Sequence, residues 1–188
     1  MKRKLRLAAG VALAAGLAAA VARDDAPGGR PVHSQPGTNA WNAGRAPADW
    51  QAEFQRYHGH VGPWNVLGWR LGQAALRECQ SAWGRHELEL VCYVPPQTPF
   101  TCLVDGLSVG TGNSQGRLDL RLAEVLTYEE SFVAVRRKDG QGGVVEFRPQ
   151  ADYLKSILDQ PLEKLEALCQ ECSRMPEEKL FTVRRVGK

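Results

Sequence analysis

With 188 residues, 43% of them hydrophobic and 24% charged, the chain can bury the core of one domain, and its formal +3 charge comes from one end. Lys2, Arg3, Lys4 and Arg6 supply four of the 24 basic residues, and without them 20 bases face 21 acids, a net of −1. That balance offers no clustered basic face and excludes a nucleic-acid partner.

The four bases precede an uncharged apolar run from Leu7 to Ala22 that ends in the small-x-small signal Ala20-Val21-Ala22. Residues 1–22 therefore read as a signal peptide cleaved before Arg23, which makes the protein periplasmic or secreted. The run falls short of the roughly twenty strongly apolar residues a span needs, so no stable membrane span is expected after processing. No twin arginine is present, which argues for export unfolded, with any metal loaded afterwards. Residues 23–47, rich in Pro, Gly, Asn and Ser, read as a flexible spacer in which His33 is solvated. Residues 48–188 form the domain.

Within it, Trp50, Phe54 and Tyr57 share one face of a first helix over 48–57. Pro63 opens a second helix, expected to reach Trp83, with Leu67, Leu71 and Ala74 as its apolar stripe. Gly68 and Gly72 let another backbone approach that helix closely, as a packing seam or the floor of a pocket. Alternation from Glu87 to Val94 predicts a strand stopped by Pro95-Pro96. A short helix capped by Thr101 follows, then a loop from Gly110 to Gly116. Strands are expected over 118–127, 131–137 and 144–148, the last two joined as a hairpin by Asp139-Gly140-Gln141-Gly142-Gly143. Residues 151–173 read as helix broken at Pro161. The fold class is α+β, a single domain with a small, mostly antiparallel sheet packed with several helices.

The chemistry concentrates in two places. Tyr57-His58-Gly59-His60-Val61-Gly62-Pro63 holds half of the four histidines, and the intervening glycine lets both imidazoles turn toward one metal ion. Cys102 and Asp105, at i and i+3, share a helix face. Cys169 and Cys172 form a Cys-x-x-Cys near a helix C-terminus, with neither a haem-attachment histidine nor a second pair. They are open to a disulfide, a metal half-site completed by a partner, or free thiols. Cys79 and Cys92 fall in apolar contexts and read as buried.

These segments resemble the FmdE family of formylmethanofuran dehydrogenase proteins. Its pattern of aromatic-His-Gly-His-x-Cys-Pro, Gly-x-Arg-x-Gly, Cys-x-x-Asp and Thr-Gly-Cys-Thr-x-Gly-basic is met by residues 57–63, Gly68 to Gly72, Cys102 to Asp105 and Thr111 to Arg117. The likeness runs from about Asp49 to the end. Gly62 and Asn113 stand where the family has cysteines. The resemblance implies a metal-binding protein and places Cys102 beside the histidines.

His58, His60 and Cys102 then offer nitrogen and sulfur ligands for one divalent ion, zinc first, with copper and nickel close behind. The helix dipole is expected to favour the Cys102 thiolate. Asp105 completes the site or orients a histidine, and Arg70 pairs with an anionic ligand or with Asp105, or forms a structural salt bridge. Two functions follow: a ligand-binding or accessory protein of a redox or one-carbon system, or a hydrolase- or lyase-type enzyme whose ion activates water or a carbonyl. The expected partners are a small molecule and a second copy of the chain in a homodimer.

Overall fold

The computed structural model describes residues 46–187; the expected signal peptide and nearly all of the spacer lie outside them. Asp49 starts the first helix, α1 (Trp50–His58), by accepting hydrogen bonds from Gln51 N at 2.9 Å and Ala52 N at 3.1 Å. Gly59, at φ +88°, ends it in the left-handed region, which leaves His58 on the last turn. An extended Gly62 then leads into α2 (Pro63–Glu78). This helix stops short of Trp83 because the chain turns at Gln80 and Gly84, both at positive φ. Trp83 instead donates its indole N–H to the Val109 carbonyl at 2.8 Å.

The core strand β1 (Leu88–Val94) alternates buried and half-buried positions, as the sequence pattern requires. It is followed by α3 (Cys102–Thr111), β2 (Leu120–Glu124), β3 (Phe132–Arg137) and β4 (Val144–Pro149). The chain then forms α4 (Ala151–Ile157), α5 (Leu165–Arg174), a one-turn α6 (Glu177–Leu180) and β5 (Phe181–Val186). One sheet is built in the order β2-β1-β3-β4-β5. Every pairing is antiparallel except β1 with β2, so the α+β, mostly antiparallel architecture is present, with a single β1-α3-β2 crossover inside it. The β3-β4 hairpin forms as its glycine turn predicts. The helical stretch after residue 151 does break around Pro161. The final strand β5 has an exposed, unalternating pattern that gave no strand signal, and it forms because β4 supplies its ladder.

Thr101 makes no side-chain cap; it already has helical φ/ψ, and backbone bonds from Cys102 N to Pro99 O and from Leu103 N to Phe100 O tighten the entry to α3. At the other end, α3 runs two residues into the expected loop, to the left-handed Gly112. No helix among the described residues is long and apolar enough to cross a membrane.

Helices α2 and α3 meet glycine to glycine. A Cβ on Gly68 would lie 2.2 Å from the Leu103 carbonyl oxygen, and one on Gly106 would lie 2.2 Å from that of Asn65. Gly72 and Gly110 repeat the contact one turn on, with an added Cβ on either 3.2 to 3.3 Å from the other's backbone. Side chains at these positions would force the backbones apart, so Gly68 and Gly72 form a packing seam whose second half, Gly106 and Gly110, had no distinguishing signal in the sequence.

Candidate functional site

The seam sets the start of α3 against the loop between α1 and α2. His58, on the last turn of α1, brings Nδ1 to 2.6 Å from Asp105 Oδ2. Its other nitrogen, Nε2, is buried and has no hydrogen-bond partner among the described residues. The His60 ring lies 4.5 Å from the His58 ring, centroid to centroid. Burial and the neighbouring His58 lower the pKa of His60, which favours the neutral imidazole that metal ligation requires.

Asn65 ties this loop to α3. It is fully buried, accepts from Gly62 N at 3.0 Å and donates to the Cys102 carbonyl at 3.2 Å. A buried asparagine at the third position of a helix was not singled out by the sequence, yet it fixes the distance between the two motifs. Cys169, on α5, adds a third tie by donating its thiol to the Val61 carbonyl at 3.5 Å.

His60 and Cys102 line the same cavity, a space of about 210 Å³. Its walls come from Gly62, Pro63, Trp64 and Asn65 on one side and from Ile157, Asp159, Gln160 and Leu165 on the other, with Pro99 at the entry to α3. Cys102 is 8% exposed, and burial followed by the Asp105 carboxylate pushes its pKa above the ordinary thiol value. The expected thiolate is thus disfavoured: desolvation and a like charge one turn along outweigh the helix start.

Among the described residues no group of three or more His, Cys, Asp or Glu side chains is arranged to hold a metal ion, so His58, His60 and Cys102 do not form a ready-made shell. What does fit an ion is the His58 imidazole, oriented by a carboxylate on Nδ1 with an unpartnered Nε2, the arrangement typical of metal-ligating histidines. Asp105 occupies the orienting position.

Arg70 lies elsewhere. Its guanidinium donates to the Cys172 and Ser173 carbonyls at 3.1 and 2.8 Å and faces Glu177 at 3.7 Å, so it caps the C-terminus of α5 in a structural role. Cys169 and Cys172 are free, buried thiols, pushed up to about 11 and about 12 by desolvation. Packed at 3% and 0% exposure, neither is presented to a partner as half of a metal site. Cys79 and Cys92 are likewise free and buried.

Asn113, where the resemblance expects a cysteine, is at the far end of α3 from Cys102, roughly 15 Å along a ten-residue helix. Its amide donates to the Leu88 and Asp119 carbonyls at 2.8 and 3.1 Å, joining the starts of β1 and β2. Gly62 is different. A Cβ there would stand 3.6 Å from His60 Nε2, facing the cavity.

Among curated proteins, none matches the chain at a significant level. A family model described as FmdE, molybdenum formylmethanofuran dehydrogenase operon, matches residues 57–182, which span the histidine loop, the cavity, strands β1 to β4 and the start of β5. On that match over well more than half of its length, the chain belongs to the FmdE family.

Proposed function

We propose that the protein is an exported metal-binding member of this family that serves as a ligand-binding or accessory protein in a redox or one-carbon system. The observation that carries the reading is the buried, unpartnered Nε2 of His58, held in place by Asp105 on Nδ1. A buried nitrogen lone pair without a donor is costly unless something binds it, and a divalent cation suits an imidazole so oriented. His58 and His60 are the nitrogen ligands, with Cys102 as a thiol that ligates once its proton is displaced. Zinc is the first candidate because it accepts histidine and cysteine together and imposes little geometry of its own.

When bound, the ion would supply Lewis acidity beside the cavity. The chain's own residues orient His58, keep His60 neutral and wall the space with Pro63, Trp64 and Leu165. An enzymatic reading gains support from one feature: His58 backed by Asp105 is also the arrangement of a general base with its tautomer fixed. With residues 1–22 as an export signal, the activity belongs to the periplasm or the cell exterior, and a homodimer is the proposed assembly.

Zinc titration of the purified full chain, followed by a competing chromophoric chelator, tests the reading. About one ion per chain is expected for the wild type and a steep loss for His58→Ala. A wild-type chain that takes up no zinc, copper or nickel would refute it.

A further inference from the structure

Cys169 and Cys172 stand outside the cavity wall, yet one of them reaches the histidine loop. Both lie on α5 (Leu165–Arg174) at i and i+3, a spacing that sets their Cα atoms about 5 Å apart on one helix face. A disulfide can span that separation. Both thiols are free, and Cys169 spends its hydrogen on the Val61 carbonyl at 3.5 Å. Val61 lies between His60 and Gly62. The other hydrogen bonds into this loop among the described residues are local: Gln55 donates to the Gly59 carbonyl, Asn65 accepts from Gly62 N, and Val66 N donates to the Gly62 carbonyl. All three come from the flanking helices α1 and α2. The Cys169 thiol reaches Val61 from 108 residues away, so the loop is fastened to α5 by a hydrogen that oxidation would remove.

We propose that the pair is a redox latch on the histidine loop: as a dithiol it holds Val61, and as a Cys169–Cys172 disulfide it releases it. A disulfide sulfur carries no hydrogen, so the bond to Val61 is lost whatever the geometry of the oxidised helix. The oxidant is a disulfide of another molecule, the class met outside the cytoplasm, where the export reading puts the chain. The Cys169 thiolate attacks one sulfur of that disulfide, whose other sulfur leaves and takes up a proton. Cys172, deprotonated in turn, attacks the Cys169 sulfur and expels the first external sulfur as a second thiol. Two S–H bonds of the chain and one external S–S bond thus become one internal S–S bond and two external S–H bonds, and the chain gives up two electrons. Burial keeps both thiols protonated, with Cys169 pushed up to about 11 and Cys172 to about 12, so the exchange is slow and begins at Cys169. The latch requires no metal.

The full chain is brought to equilibrium in reduced and in excess oxidised dithiothreitol, both with a chelator; disulfides are mapped by peptide mass, and amide hydrogen exchange is followed at residues 59–62 and in β1. Oxidation is expected to give the Cys169–Cys172 bond and to speed exchange in the loop about fivefold, the loss of one hydrogen bond, while β1 stays protected. Cys172→Ser keeps the Cys169 thiol but cannot close the bond, so its loop should exchange slowly in both buffers. Cys169→Ala lacks the donor and should exchange fast in both. Absence of the Cys169–Cys172 bond from the oxidised chain, loop exchange that does not change when it forms, or a Cys172→Ser loop that loosens as the wild type's does would each overturn the latch. Because the chelator removes metal throughout, failure here leaves the zinc result untouched, and a failed zinc titration leaves this one interpretable.

Discussion

The Asp105 carboxylate reaches across 47 residues of sequence to hold His58 Nδ1 at 2.6 Å, and it does so from the helix that also begins with Cys102. An imidazole whose Nδ1–H is fixed in this way presents Nε2 as an acceptor in a single orientation. Asp105→Asn should weaken zinc binding about 10- to 100-fold while leaving the fold intact, read by competition with a chromophoric chelator. Unchanged affinity would mean that the pair is structural.

Whether the thiol ligates can be read from pH. Burial and Asp105 raise the Cys102 pKa above its ordinary 9.0, so at neutral pH a proton must leave before sulfur can bind. If Cys102 is a ligand, zinc affinity should rise about tenfold per pH unit from neutrality toward the thiol pKa. Cys102→Ser should then flatten the profile once the histidines are neutral. A wild-type profile already flat there would exclude the thiol from the shell.

The two positions that depart from the family pattern should behave oppositely when cysteine is introduced. Gly62→Cys puts sulfur near His60 with an unstrained φ of −124°, though Asn65 Oδ1, 3.2 Å from the new Cβ, must yield slightly. Zinc affinity should rise and shift toward softer ions. Asn113→Cys breaks two buried hydrogen bonds and adds nothing to the site. Thermal unfolding should show a loss of about 2 kcal/mol with metal affinity unchanged.

The glycine seam predicts severe intolerance at sites far from any ligand. Gly68→Ala or Gly106→Ala places a methyl carbon 2.2 Å from a backbone oxygen across the helix contact, and the loss should be about 3 kcal/mol or more. Gly116→Ala, whose added Cβ meets nothing within 4 Å, serves as the control. Chemical denaturation that ranks all three alike would contradict the packing described here.

Acid should act through a second carboxylate–histidine pair. Asp119 is 2% exposed; desolvation works to raise its pKa, but His86, Ser114 N and Lys138 together hold it below the ordinary 3.8. The stabilisation is therefore complete above that value and is lost as pH falls through the folded pKa. Asp119→Asn should cost about 2 kcal/mol at neutral pH and remove this part of the acid dependence, measured as unfolding free energy against pH.

The sequence carried the elements whose signals are local. Pro63 at the start of α2 and the glycine hairpin act through their own backbone, and both were legible; the Asp49 cap and the Gly59 stop are equally local and were not singled out. The parallel β1–β2 pair and β5 depend on partners distant in sequence, and so does the second half of the glycine seam; period and propensity do not encode them. At the site, the residue types were readable but their partners were not. Asp105 was singled out by its spacing from Cys102, whereas its bond to His58 depends on how two helices dock. Of the roles open to Arg70 the structural one is found, and its partners were not readable for the same reason: the C-terminus of α5 that it caps comes from more than one hundred residues later. The thiol's raised pKa reflects burial, which a helix-start argument does not see.

The single crossover has a consequence for how this protein diversifies. Because β1 and β2 run parallel with α3 between them, Cys102 emerges just past the carboxyl end of β1, the edge at which open α/β sheets collect their ligands. The segment from Pro95 to Thr101 and the linker from Leu158 to Lys164 border the cavity there, and neither contributes a rung to the sheet. Insertions and substitutions in those two stretches can reshape what the cavity accepts while the ladder beneath stays in register.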